Sequence, residues 1–148
     1  MSLEDWQINK LTERHKPTAQ EIISLLQKAD SDLEISRTND LGPDWQLTIA
    51  YNAALLCAIA ALAAAGYRAR TEGHHYITIQ SLAYTIQAEP ALIKQLDKFR
   101  KKRNVSNYER MGMVTEKEVE AVMALAKKLR NIVEEWLRVN HPDLMTRG

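Results

Sequence analysis

The feature that most constrains this chain is its longest apolar run, Ala53–Ala65, A-A-L-L-C-A-I-A-A-L-A-A-A. A helix through it is apolar nearly all round, and such a helix is buried on several sides. Its alanines let neighbouring helices approach closely. The run predicts a central helix from about Asp44 to Ala65, placed at the middle of a bundle or at a subunit interface. Pro43 suits its first turn and Gly66 its C-terminal cap. The run is well short of the ~20 residues that span a bilayer, so no membrane role is expected.

The rest of the composition agrees with helices. Aromatics make up 6% of the 148 residues, and there are five glycines and four prolines. Alanine and leucine are abundant, which favours helix over sheet. The length fits one domain, and a hydrophobic fraction of 45% can build its core. The formal net charge is +1, so nucleic-acid binding would need a local patch. The one cysteine, Cys57, excludes an intrachain disulfide and sits in the apolar run as a small hydrophobe. The start, M-S-L-E-D-W, lacks the basic-then-apolar order of a signal peptide. A cytoplasmic protein is expected.

Residues 1–16 read as a polar lead segment with Trp6, Ile8 and Leu11, and 17–148 as a single helical domain. Thr18 and Glu21 form a capping-box pair ahead of a stripe of Ile22, Leu26, Ala29 and Leu33. Residues 37–42 read as a loop and 67–74 as a polar connection. His75, Ile79, Leu82 and Ile86 keep helical spacing despite the local strand preference of I-T-I. Pro90 opens the next helix. Thr115 and Glu118 make a second capping box, followed by the stripe Val119, Val122, Met123, Ala126, Leu129, Val133, Trp136 and Leu137. The expected fold is all-α: an up-and-down antiparallel bundle of four main helices plus a fifth short or peripheral helix.

Chemistry concentrates at Lys98–Tyr108, K-F-R-K-K-R-N-V-S-N-Y. Leu92, Leu96 and Phe99 share one helical stripe, and Arg103 is its next position. One guanidinium is therefore directed toward the packed face, where it is costly unless matched. Lys101 and Lys102 point elsewhere. Asn104 and Tyr108 are an i, i+4 pair, with Arg100 one turn before Asn104. Guanidinium, amide and phenol groups near one helix end suit a phosphodiester. The alternative is a helix end tied down by its own hydrogen bonds, with Arg103 paired to Glu134 or Glu135. The basic run Lys94, Lys98, Arg100, Lys101, Lys102 and Arg103 reads either as a phosphate-contacting patch or as a solvated face near a helix C-terminus. His74 and His75 are adjacent and point ~100° apart on a helix, which makes a poor metal site. No other spacing completes a zinc pattern, and no metal or cofactor is expected. His15 and His141 read as surface residues.

Three stretches in order carry a family resemblance: D-W-Q-L-T-I-A-Y-N-A-A-L-L-C-A-I-A-A-L-A-A-A-G-Y-R at 44–68, G-H-H at 73–75, and R-N-V-S-N-Y at 103–108 before the T-E-K-E-V-E helix start. Over about Gln20–Val139 the chain resembles the HEPN superfamily, the "higher eukaryotes and prokaryotes nucleotide-binding" domains. The resemblance implies an antiparallel helical bundle, commonly a homodimer, in which the polar ends of the motif helices meet at a composite cleft. Active members are metal-independent ribonucleases, with an arginine, an adjacent polar residue and a histidine a few residues later. Others are non-catalytic binding modules. Many pair with small nucleotidyltransferases in prokaryotic toxin–antitoxin systems. By this likeness Arg103 matches the motif arginine and Asn104 the polar residue, while Tyr108 stands where the histidine belongs. A phenol with a pKa of about 10 is a poor general base at neutral pH. The expected function is therefore binding of RNA, a nucleotide or a partner protein through Arg100, Arg103, Asn104, Asn107, Tyr108 and His75. The alternative is a metal-independent ribonuclease toxin using Arg103 with Tyr108. A homodimer and a nucleotidyltransferase-type partner are the expected associations.

Overall fold

Local signals in the sequence become helix ends in the structure, a computed structural model that describes residues 2–70, 74–104 and 113–146. A short helix α1 (Leu3–Ile8) and strand β1 (Thr12–Arg14) precede α2 (Ala19–Ser36) and α3 (Pro43–Ala64). Strand β2 (Tyr67–Ala69), α4 (His74–Gln80), α5 (Pro90–Asn104) and α6 (Glu116–Asn140) follow. Short 3₁₀ turns cover Asn39–Leu41, Ser81–Ala83 and Pro142–Met145.

The caps behave as their chemistry dictates. Thr18 accepts from the Glu21 amide, but the Glu21 carboxylate turns to His15, whose Nε2 lies 2.8 Å from both of its oxygens. His15 is thus half-buried and engaged, where a surface residue was expected. At α6 both halves of the Thr115–Glu118 box are present. Gly66 follows α3 with φ +96°, a left-handed conformation that costs an L side chain energy.

Helix α3 is the middle of the molecule. It packs against α2, α4, α5 and α6, and Ala53, Ala58, Ala60 and Ala61 are fully buried. By length and composition α3 could cross a membrane, but most of its apolar window is buried inside the molecule. Most of its apolar surface is buried within one chain, as expected of a central helix, while Trp45 is exposed and Leu56 and Ile59 are half-buried. The α2 stripe Ile22, Leu26, Ala29 and Leu33 is buried as expected. On α6, Val119, Val122, Leu125, Ala126, Leu129, Val133 and Leu137 face inward, while Met123 and Trp136 are only half-buried. Each buried Leu or Val side chain stabilises the fold by about 1.5–3 kcal/mol.

Two expectations need correction. The chain is mostly helical but not purely so. β1 and β2 pair antiparallel, Thr12 with Ala69, Glu13 with Arg68 and Arg14 with Tyr67, so part of the expected polar connection at 67–74 is a strand. Glu13 and Arg68 form an ion pair across it, and the Arg14 guanidinium lies 4.8 Å from the Tyr67 ring centroid. Trp6 docks α1 onto the body, edge to face with Tyr84 at 5.0 Å. The second correction concerns His75–Ile86. The α-helix stops at Gln80 and tightens into the 3₁₀ turn. The Ser81 hydroxyl donates to the Thr78 carbonyl at 2.6 Å, the kind of local side-chain bond that competes with regular helix.

Candidate functional site

Helix α5 aims the site. Leu92, Ile93, Leu96 and Phe99 are buried, which fixes the rotation of the helix about its axis. Arg103, one turn beyond Phe99, is then carried to the inner side. It is half-buried, with its guanidinium carbon 5.6 Å from the ring centroid of Tyr51. Tyr51 comes from α3 and is 0% exposed. The attraction of a cation to the ring face accounts for this placement.

His75, half-buried on α4, packs beside the same ring, with centroids 6.1 Å apart and planes tilted by 38°. Burial, then the neighbouring charges of His74, Arg103 and Arg100, push its imidazole down to about 4. It is uncharged at neutral pH. Burial also pushes the Tyr51 phenol up to about 12, against the opposing pull of Arg103 and Arg100. So two guanidinium groups share this end of the molecule with an imidazole and a phenol that are both neutral. Arg100 is also stacked, its guanidinium carbon 5.3 Å from the Tyr76 ring centroid, and its Nε donates to Asp97 at 2.7 Å. Burial acts to raise the Asp97 pKa, but the hydrogen bonds and charges of Arg100 and Lys101 hold it below the usual carboxylate range.

The lysines divide. Lys101 is exposed and reaches Asp97 at 3.3 Å. Lys102 is half-buried, and its Nζ lies 2.7 Å from Glu118. Glu118 therefore caps α6 and clasps it to the end of α5. Burial alone would raise its pKa, but the Lys102 and Thr115 contacts lower it. Glu134, one of the two carboxylates considered for Arg103, is engaged by Arg130 and Arg138.

Of the residues predicted for binding, the structure brings Arg100, Arg103 and His75 together. Asn104 is the last residue of α5, and its side chain lies outside the description. Asn107 and Tyr108 lie outside the described residues. Tyr51 and Tyr76 were missed. A tyrosine inside an otherwise apolar helix was the available signal for Tyr51, because a buried phenol calls for an explanation. His74 meets the His75 ring edge to face, with centroids 4.4 Å apart, and lines a cavity of about 210 Å³ with His15, Glu21, Tyr67, Arg68 and Thr78. Among the described residues no three His, Cys, Asp or Glu side chains gather as metal ligands. Cys57 is fully buried, and burial pushes its thiol up to about 12, which disfavours the reactive thiolate.

No curated protein and no solved structure matches the chain. The family model described as HEPN domain matches residues 22–136, more than half of the sequence and all of the core helices that build this site. The chain belongs to the HEPN domain family.

Proposed function

We propose that this HEPN domain is a cytoplasmic binding module that takes RNA or a nucleotide by its phosphate at the Arg103 end of α5. In this reading Arg103 and Arg100 contact the phosphate, and Asn104, Asn107, Tyr108 and His75 add neutral hydrogen bonds. The four long helices form an up-and-down antiparallel bundle. Two copies associate so that their α5 ends line one cleft, and a nucleotidyltransferase-type protein in a toxin–antitoxin pair is the partner. The observation that carries the reading is the placement of Arg103 and Arg100 around His75, where their charge helps to depress an imidazole to about 4. Burial is the first cause of that depression and the guanidinium charges add to it, and cations held in such a setting favour an anion. Guanidinium groups are the side chains best shaped to grip phosphate.

The test is a fluorescence titration of labelled RNA, and separately of labelled AMP, against the intact protein and its Arg103→Ala variant. Affinity should fall with added salt and with the substitution. Equal affinity of variant and parent removes Arg103 from the site. Light scattering at micromolar concentration should give a dimer; a monomer would remove the shared cleft.

A second reading, a metal-independent ribonuclease using Arg103 with Tyr108, gains support from the imidazole of His75 beside Arg103. With a pKa of about 4 that imidazole is a weak base at neutral pH, which is why binding is placed first. Cleavage of labelled RNA in EDTA that disappears in Arg103→Ala and Tyr108→Phe would reverse the order.

A further inference from the structure

Arg103 and His75 reach the site from different helices, α5 and α4, and neither helix alone sets their spacing. Both side chains rest on one ring. Tyr51 presents that ring from α3, with Arg103 5.6 Å from its centroid and His75 6.1 Å. The ring is 0% exposed and belongs to the helix against which α4 and α5 both pack. It cannot shift without disturbing the core. An arginine free in solution explores many rotamers, and ordering it on binding costs affinity. A cation seated on a fixed aromatic face has lost much of that freedom beforehand.

We propose that Tyr51 is the positioning residue of the site: its ring is the common seat that sets Arg103 and His75 relative to each other. This deepens, and rests on, the reading of Arg103 as a phosphate contact. The seat requires the ring and not the hydroxyl, whose oxygen is buried with no hydrogen-bond partner among the described residues. Phenylalanine should therefore serve in its place and leucine should not.

The experiment compares the full chain with Tyr51→Phe and Tyr51→Leu. Proton–nitrogen NMR of the Arg103 Nε–H, assigned with Arg103→Lys, reads the seat directly. The ring current should shift that proton upfield in the parent and in Tyr51→Phe, and the shift should vanish in Tyr51→Leu. The His75 imidazole, followed by pH titration, should keep its value in Tyr51→Phe and rise part of the way in Tyr51→Leu, by the share that Arg103 contributes, burial holding the rest. Labelled RNA and labelled AMP should bind Tyr51→Phe within about twofold of the parent and Tyr51→Leu about tenfold more weakly. Adding Arg103→Ala to Tyr51→Leu should then cost little more than Arg103→Ala alone.

No upfield shift in the parent overturns the seat, even if Tyr51→Leu fails to fold. Unchanged RNA and AMP affinity in a folded Tyr51→Leu, with Arg103→Ala still defective, overturns the positioning role and leaves the phosphate reading intact. A parent chain that binds neither RNA nor AMP sinks the phosphate reading itself, and the positioning role with it. Loss of RNA binding alone, or of AMP binding alone, tells which source of phosphate the seat serves.

Discussion

Arg130 on α6 and Arg103 on α5 carry the same cation into opposite surroundings. Arg130 is 17% exposed and donates to Asp30 through Nε at 2.7 Å and through Nη2 at 3.0 Å. Its Nη1 lies 2.8 Å from Glu134, which also receives Arg138. The Asp30 hydrogen bond, opposed by burial and assisted by Glu134, raises its pKa further. This guanidinium is matched by carboxylates and ties α2 to α6. Arg103 sits on an aromatic face, with Arg100 one turn behind it and His75 beside it. Carboxylates surround the first cation, whereas the second packs on a ring it shares with an imidazole that burial first, and neighbouring charge second, keep uncharged. The difference teaches where to look for function: at the arginine that shares its aromatic seat with an uncharged imidazole, rather than at the one that clamps two helices together.

The comparison breaks first on Arg103→Ala. It should weaken RNA or AMP binding by about 1–3 kcal/mol, the range for a charge-assisted contact. Arg130→Ala should act on stability instead. Loss of the paired hydrogen bonds should cost about 1–2 kcal/mol by urea denaturation, discounted because Asp30 is half exposed, and affinity should hold. A loss of binding in Arg130→Ala with stability preserved would erase the distinction.

Acid sharpens the contrast by a smaller amount. The folded chain resists protonating His75 down to about 4, while the unfolded chain takes up that proton near its ordinary value of about 6.5. Between those values the unfolded state binds more protons. Stability therefore falls as pH drops from about 6.5 toward 4, and the loss is complete below. His75→Gln should flatten the slope in that window, as read from denaturation midpoints at successive pH. Smallest of all is Lys101→Ala. Its ammonium is 70% exposed where it meets Asp97, and its removal should change stability by less than about 0.5 kcal/mol.

Much of the fold was legible because its signals are local. Thr18, Pro43, Gly66 and the Thr115–Glu118 box mark helix ends within a few residues of where they act. The inward course of Arg103 was legible for the same reason, since it continues the period of Leu92, Leu96 and Phe99. The β1–β2 pairing was not. Its three-residue strands are too short to show alternation, and their partners lie far apart in the chain. The early end of α4 escaped because Ile79 and Leu82 are buried whether the turn is α or 3₁₀. Tyr51 escaped because nothing along α3, apolar on all sides, tells which neighbour a given side chain meets. That Arg103 and His75 share its ring follows only from how α4 and α5 cross α3.

The methyl-lined flanks of α3 imply a mode of melting. Alanine has no rotamers to exchange, so helices resting on it find no alternative arrangement in which to loosen. Separation of the helices and loss of their order should then coincide. On heating, near- and far-ultraviolet circular dichroism should collapse together in one sharp step, with no expanded helical intermediate between native and unfolded chain.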